Sequence, residues 1–219
     1  MRVVLPSGTP AEMFVPEDAP PSRGLVVLPD IGGLRPLFEE MVERLAGENG
    51  WAVIAPEPFP GREQELGSIE DRFAAMAGLE DERQLGDAVA AADQLGVEPV
   101  AVMGFCMGGM YALKASATGR FDKAVSFYGM IRLPEAWEGP GQGQPLDAIA
   151  SATTDILAIV GTEDSWLPIP DIEALEATDA TVVRYEGADH GFVHDPSRPA
   201  HRPDDAADAW TRVTSLLTP

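Results

Sequence analysis

Six unbroken or nearly unbroken apolar runs recur along the chain, and between most of them the apolar positions change to helical spacing. A strand with one wet face alternates apolar and polar. Runs such as Gly24-Leu25-Val26-Val27-Leu28 and Trp51-Ala52-Val53-Ile54-Ala55 do not, so they predict strands covered on both faces. Val97 to Gly104, Lys123 to Gly129, Asp155 to Gly161 and Thr181 to Tyr185 complete the set. Helical spacing runs from about Pro36 to Ala46, with Phe38, Met41, Val42 and Leu45 on one face, and Gly47 to Gly50 stop it. Ser68-Ile69-Glu70-Asp71 is a helix start, a hydroxyl cap with an acid three residues later. The helical pattern continues to about Leu95, broken near Gly78. Further helices are expected from Cys106 to about Ala117, over Asp171–Ala177, and over Asp204–Leu217 with Ala207, Trp210, Val213 and Leu217 aligned. Met1–Leu5 and Glu12–Val15 flank a Pro-Ser-Gly-Thr-Pro turn and predict a hairpin or two edge strands. Residues 16–24, 56–67 and 133–145 are rich in proline or glycine and predict loops, the last an excursion over the strand ends.

Strands alternating with helices define an α/β fold, a mostly parallel twisted sheet with helices on both faces in three layers. A length of 219 residues, without repeat or linker, predicts one domain over 1–219. Open parallel sheets bind ligands at the carboxyl ends of their strands. The loops after Leu28, Ala55, Gly104, Gly129, Gly161 and Tyr185 are therefore the ones to search. A net charge of −21, from 36 acidic and 15 basic residues, argues against nucleic acid or an anionic membrane as partner. A small-molecule substrate is expected, and an anionic one would need local positive charge against that background. The single cysteine excludes an internal disulfide. The first residues lack the apolar core of a signal peptide, and no run reaches the ~20 apolar residues of a membrane span. A cytoplasmic protein, monomer or small homo-oligomer, is expected.

That cysteine sits in Gly104-Phe105-Cys106-Met107-Gly108, after a strand pattern and before a helix pattern. Strand, sharp turn and helix is the context of a nucleophile elbow, whose glycines leave room where a β-carbon would collide. Two later strand-end loops carry the other residue types that a thiol nucleophile needs. The loop after Gly161 holds Glu163 and Asp164, with Asp171 further on; Asp164 is favoured as the acid. The loop after Tyr185 holds His190, the one histidine of three outside the polar, proline-rich stretch with His194 and His201. A histidine can take the thiol proton and return it to the leaving group, and an acid fixes its tautomer. The backbone N–H groups of Met107 and of Ile31, in the Asp30-Ile31-Gly32-Gly33 loop, are candidates for holding an oxyanion. Trp166, Phe192, Phe127, Tyr128 and Met107 are candidate pocket walls, with core packing an equally good reading.

These motifs, with Gly161-Thr162-Glu163-Asp164 and Gly187-Ala188-Asp189-His190-Gly191-Phe192, resemble the dienelactone hydrolase family of the α/β-hydrolases from about Ala11 to Leu217. Nucleophile, acid and histidine follow the chain order of that superfamily. The resemblance implies a Cys106–His190–Asp164 triad and hydrolysis of lactones such as 4-carboxymethylenebut-2-en-4-olide, with no metal or cofactor. Two positions depart from the family pattern. The resemblance assigns thiol activation to a glutamate where this chain has Asp30. It assigns a carboxylate-clamping arginine to the position of His194, and Arg72 is the nearest match to a second one. The neighbouring reading is a general carboxylesterase or thioesterase; a reading of another class is a redox sensor in which Cys106 is merely oxidisable.

Overall fold

In the computed structural model, which describes residues 1–62 and 65–218, the apolar runs become strands β3 (Gly24–Leu28), β4 (Ala52–Pro56), β5 (Val100–Phe105), β6 (Lys123–Phe127), β7 (Asp155–Gly161) and β8 (Thr181–Tyr185). They pair in parallel in the order β4-β3-β5-β6-β7-β8, so their carboxyl ends share one edge. Two more strands, β1 (Arg2–Val4) and β2 (Pro10–Phe14), extend the sheet past β4 in antiparallel pairing. The sequence predicts a hairpin or two edge strands; β1 and β2 do pair as a hairpin, but β2 is not at an edge. It lies inside, bonded to β1 and to β4, because Pro10 is its first residue, where a missing N–H removes no ladder bond.

Helices fill the crossovers: α1 (Pro36–Asn49), α2 (Ile69–Ala75), α3 (Asp81–Leu95), α4 (Met107–Ala115), α5 (Pro145–Ile149), α6 (Ile169–Glu176) and α7 (Pro203–Leu217). Ser68 and Asp71 form the expected reciprocal cap of α2, and a 3-10 turn over Met76–Gly78 makes the break before α3. α1 runs through Gly47 and ends at Gly50, whose φ of +67° supplies the left-handed cap that Gly47 was not needed for. The buried stripe of α7 is Ala206, Ala209, Val213 and Leu217, with Ala207 exposed and Trp210 half-buried, one residue off the expected stripe in its first half. α5 lies at the end of the excursion after β6 and has too few apolar residues to announce itself. Of the 56–67 loop, residues 63 and 64 lie outside the described residues.

α1 and α7 share one face of the sheet, where Arg44 of α1 lies over the Trp210 ring of α7. On that face Phe105 and Phe127, register partners at the ends of β5 and β6, stack with centroids 4.6 Å apart. Phe38 of α1 and Trp210 of α7 cover the pair. The residues at the ends of β5 and β6 are thus seated in aromatic core immediately before Cys106 and Tyr128, which gives the site a rigid floor.

Candidate active site

Cys106 stands between β5 and α4 with φ +54° and ψ −119°, a conformation that costs a non-glycine residue ~1–3 kcal/mol. Close packing imposes it. A β-carbon on Gly104 would lie 2.0 Å from the Gly108 carbonyl oxygen, and one on Gly108 would lie 2.1 Å from that of Leu28. The Cys106 N–H donates to the Phe127 carbonyl at 3.0 Å, which ties the turn to β6. The thiol is free and 8% exposed.

The acid and histidine loops are stapled together before any side chain meets. The Glu163 N–H donates to the Ala188 carbonyl at 3.0 Å, and the Gly187 N–H to the Thr162 hydroxyl at 2.8 Å. His190 Nδ1 then lies 2.7 Å from Asp164 Oδ2. Asp164 is buried, and its second oxygen accepts the Trp166 N–H at 2.9 Å. A carboxylate only accepts, so Nδ1 carries a hydrogen and Nε2 is the ring atom left to exchange a proton with Cys106. Nε2 is buried without a hydrogen-bond partner of its own among the described residues. Burial opposes a charge on the ring. The hydrogen bond to Asp164 and the nearby Cys106 sulfur outweigh that and push its pKa up to about 10 from the ordinary 6.5. Of the other acids considered, Glu163 is exposed and Asp171 pairs with Arg132 at 3.0 Å.

On the far side, Asp30 holds the β3 loop closed. Its Oδ1 accepts the Gly32 N–H at 2.8 Å, and Arg35 forks onto both oxygens at 2.6 and 2.9 Å. Among the described residues the N–H groups of Ile31 and Met107 have no acceptor, as oxyanion donors require. Arg72 donates to the Ile31 carbonyl at 3.3 Å and to that of Leu66 at 3.1 Å. His194, read from the resemblance as standing where a clamp arginine would be, is 5% exposed with both ring nitrogens bonded, Nε2 to Asp30 at 2.8 Å and Nδ1 to the Tyr128 hydroxyl. Tyr128, Phe192, Phe127 and Met107 are buried, while Trp166 is 37% exposed and stacks on Phe73 at 5.7 Å.

Sequence reasoning missed Arg198. Its guanidinium lies against Gly191, where a β-carbon would sit 2.3 Å from Nη1. A groove of ≈ 620 Å³ beside His190 is lined by Arg198, Trp166, Ser165 and Pro199 among others. Every lysine and arginine except Arg198 and Arg72 pairs with a carboxylate among the described residues. In a strongly acidic chain, two arginines left without a carboxylate, one beside His190 and one on the Ile31 loop, are conspicuous. Arg198 gave no signal in the sequence, because its loop folds back through a turn that no periodicity marks. Among the described residues no three His, Cys, Asp or Glu side chains are grouped as a metal would require, and no helix is long and apolar enough to cross a membrane.

A parallel sheet bearing an elbow after β5, an acid after β7 and a histidine after β8 defines an α/β-hydrolase. Within that class the chain belongs to the dienelactone hydrolase family, whose model matches residues 10–219. It is 30% identical over 210 residues to the "Probable 2-oxo-3-(5-oxofuran-2-ylidene)propanoate lactonase" of a Bradyrhizobium species, covering 88% of this chain and 82% of the relative. It is 28% identical over 212 residues to a carboxymethylenebutenolidase of Rhodococcus opacus, covering 88% and 79%. Among solved structures, the "Putative Dienelactone Hydrolase" of Klebsiella pneumoniae superposes with a TM-score of 0.87 at 25% identity, covering 98% of this chain and 96% of that one. The chain is an enzyme, a carboxylic ester hydrolase of the dienelactone hydrolase type.

Proposed function

We propose that the enzyme opens a small lactone or ester through a thioester on Cys106. The observation that carries this reading is His190, bonded to Asp164 at Nδ1, with a buried Nε2 that has no hydrogen-bond partner among the described residues and a ring pKa raised by Asp164 and then Cys106. His190 takes the thiol proton, and Sγ attacks the carbonyl carbon. The carbonyl electron pair moves onto oxygen, where the Ile31 and Met107 N–H groups receive it. Collapse breaks the ring C–O bond, and the leaving oxygen takes the proton from His190. Water, deprotonated by His190, attacks the thioester; the C–S bond breaks with its electron pair left on sulfur, the acid departs, and His190 keeps the proton beside the thiolate. Asp164 orients the ring throughout. Asp30 stays outside this proton traffic. Burial would raise its pKa, but the bonds from His194 and Arg35 hold the carboxyl far below the usual carboxylate range. A cytoplasmic location fits a lone free cysteine.

The substrate this geometry favours carries a carboxylate. Among the described residues Arg198 and Arg72 are the cations without a carboxylate partner, both beside the reacting groups, and Trp166 offers a flat wall for an unsaturated ring. The names of the Bradyrhizobium and Rhodococcus relatives denote acidic lactones as substrates, which supports the same class. The test compares a lactone bearing a carboxylate with its neutral methyl ester in wild type and Arg198→Ala. Loss of one charged hydrogen-bonding partner should raise KM for the acid about tenfold or more and leave the neutral ester unchanged. A preference for neutral short esters, indifferent to Arg198→Ala, would reject the carboxylate and leave the thiol chemistry standing.

A further inference from the structure

Next to the His190–Asp164 pair lies a second buried histidine–carboxylate pair that the reaction steps do not use. His194 Nε2 meets Asp30 Oδ2 at 2.8 Å, and its Nδ1 meets the Tyr128 hydroxyl. Its ring lies on Phe105, the residue before the nucleophile, with centroids 4.9 Å apart. Every hydrogen in this array has one place. Asp30, gripped by Arg35, is an acceptor only, so Nε2 of His194 carries the hydrogen and Nδ1 is bare. The Tyr128 O–H therefore donates to Nδ1.

Tyr128 in turn touches the catalytic histidine. It is fully buried, and the edge-to-face contact of its ring with His190 has centroids 5.1 Å apart at 64°. Its φ is +40°, a conformation that a tyrosine adopts only when its surroundings enforce it. The preceding carbonyl, Phe127, accepts the Cys106 N–H, and its own N–H donates to Ile159 at 2.8 Å. Among the described residues the His190 ring has one hydrogen bond, at Nδ1, and a ring held at one atom can still pivot about it. The aromatic ring against it, among the described residues, is that of Tyr128.

We propose that Tyr128 is a positioning residue for His190, and that the Arg35–Asp30–His194 array exists to lock the Tyr128 hydroxyl and so the angle at which Nε2 faces Cys106. The inference rests on the Cys106–His190 reaction proposed above. The groups facing His194 are Asp30 and Arg35 from the β3 loop, Tyr128 just after β6, and Asp195 and Arg198 from its own loop. Burial, with Arg35 and Arg198, keeps the ring below its ordinary pKa against the pull of Asp30, so the array stays in one protonation state while His190 works.

The experiment is a cycle of Tyr128→Phe, His194→Gln and the double variant, with Cys106→Ala as control, on p-nitrophenyl acetate. Thermal unfolding midpoints establish that each variant is folded. Either single variant should lower kcat about tenfold with KM within about twofold, and the double variant should be no worse than the poorer single one. A loosened His190 ring bonds Asp164 and Cys106 less well, so the alkaline limb of the kcat/KM profile should move to lower pH in both singles, which lost packing alone would not produce. Unchanged kcat and pH profile in both single variants, or losses that multiply in the double, would overturn the proposal. An inactive Cys106→Ala beside unaffected Tyr128→Phe and His194→Gln rejects the positioning role alone. An active Cys106→Ala rejects the thiol reaction and the positioning role with it.

Discussion

At the scale of single residues, the chemistry divides between what spacing reveals and what only proximity reveals. Cys106, Asp164 and His190 stand out in the sequence because each follows an apolar run that must be a strand, and parallel strands deliver their ends to one edge. Of Asp164, Glu163 and Asp171, it is Asp164 that lies against His190, at 2.7 Å. Asp164→Asn should lower kcat about a hundredfold or more with KM little changed, since an amide can present a donor to Nδ1 and favour the wrong tautomer; steady-state kinetics on any hydrolysed ester reads this out. His194 shows the opposite case. The family resemblance implies a substrate-binding side chain at its position, yet the ring turns inward to Tyr128 and Asp30. Side-chain direction in a loop without periodicity is decided by partners distant in sequence, and Asp30 lies 164 residues away.

The elements were legible where burial sets the pattern and blurred where it does not. All six parallel strands and the α2 cap follow from the apolar runs and from Ser68 with Asp71. The place of β2 inside the sheet does not follow, because a short strand pairs as well with one neighbour as with two until the register of β4 is known. The elbow is the element on which function turns, and its glycines are steric necessities. Gly108→Ala should leave little soluble enzyme or a large loss of kcat, since its β-carbon would lie 2.1 Å from backbone that cannot yield without moving β3. Gly47→Ala is the control. Nothing lies within 4 Å of that site and it sits inside α1, so the substitution should be neutral or stabilise by about 0.5–1 kcal/mol in urea unfolding.

At the scale of the molecule, a charge of −21 was evident from composition, while its distribution was not. Among the described residues, folding pairs every cation but two with a carboxylate, and those two, Arg198 and Arg72, lie beside the reacting groups. The same fold couples stability to pH through His190. Its folded pKa of about 10 lies above the ordinary 6.5, so its stabilisation is complete below about pH 6.5 and is lost as pH rises through about 10. The urea midpoint should therefore fall across that range, and the fall should be smaller in His190→Ala. The central claim is that the lactone carbonyl passes through sulfur. Rapid acid quench of the enzyme mixed with a carboxylate-bearing lactone, followed by intact-mass and peptide mapping, tests it directly. Ring opening keeps every atom of the lactone, so the account predicts a transient adduct of the lactone's full mass on Cys106, absent in Cys106→Ala. Turnover without any adduct on Cys106, together with undiminished hydrolysis by Cys106→Ala, would contradict it.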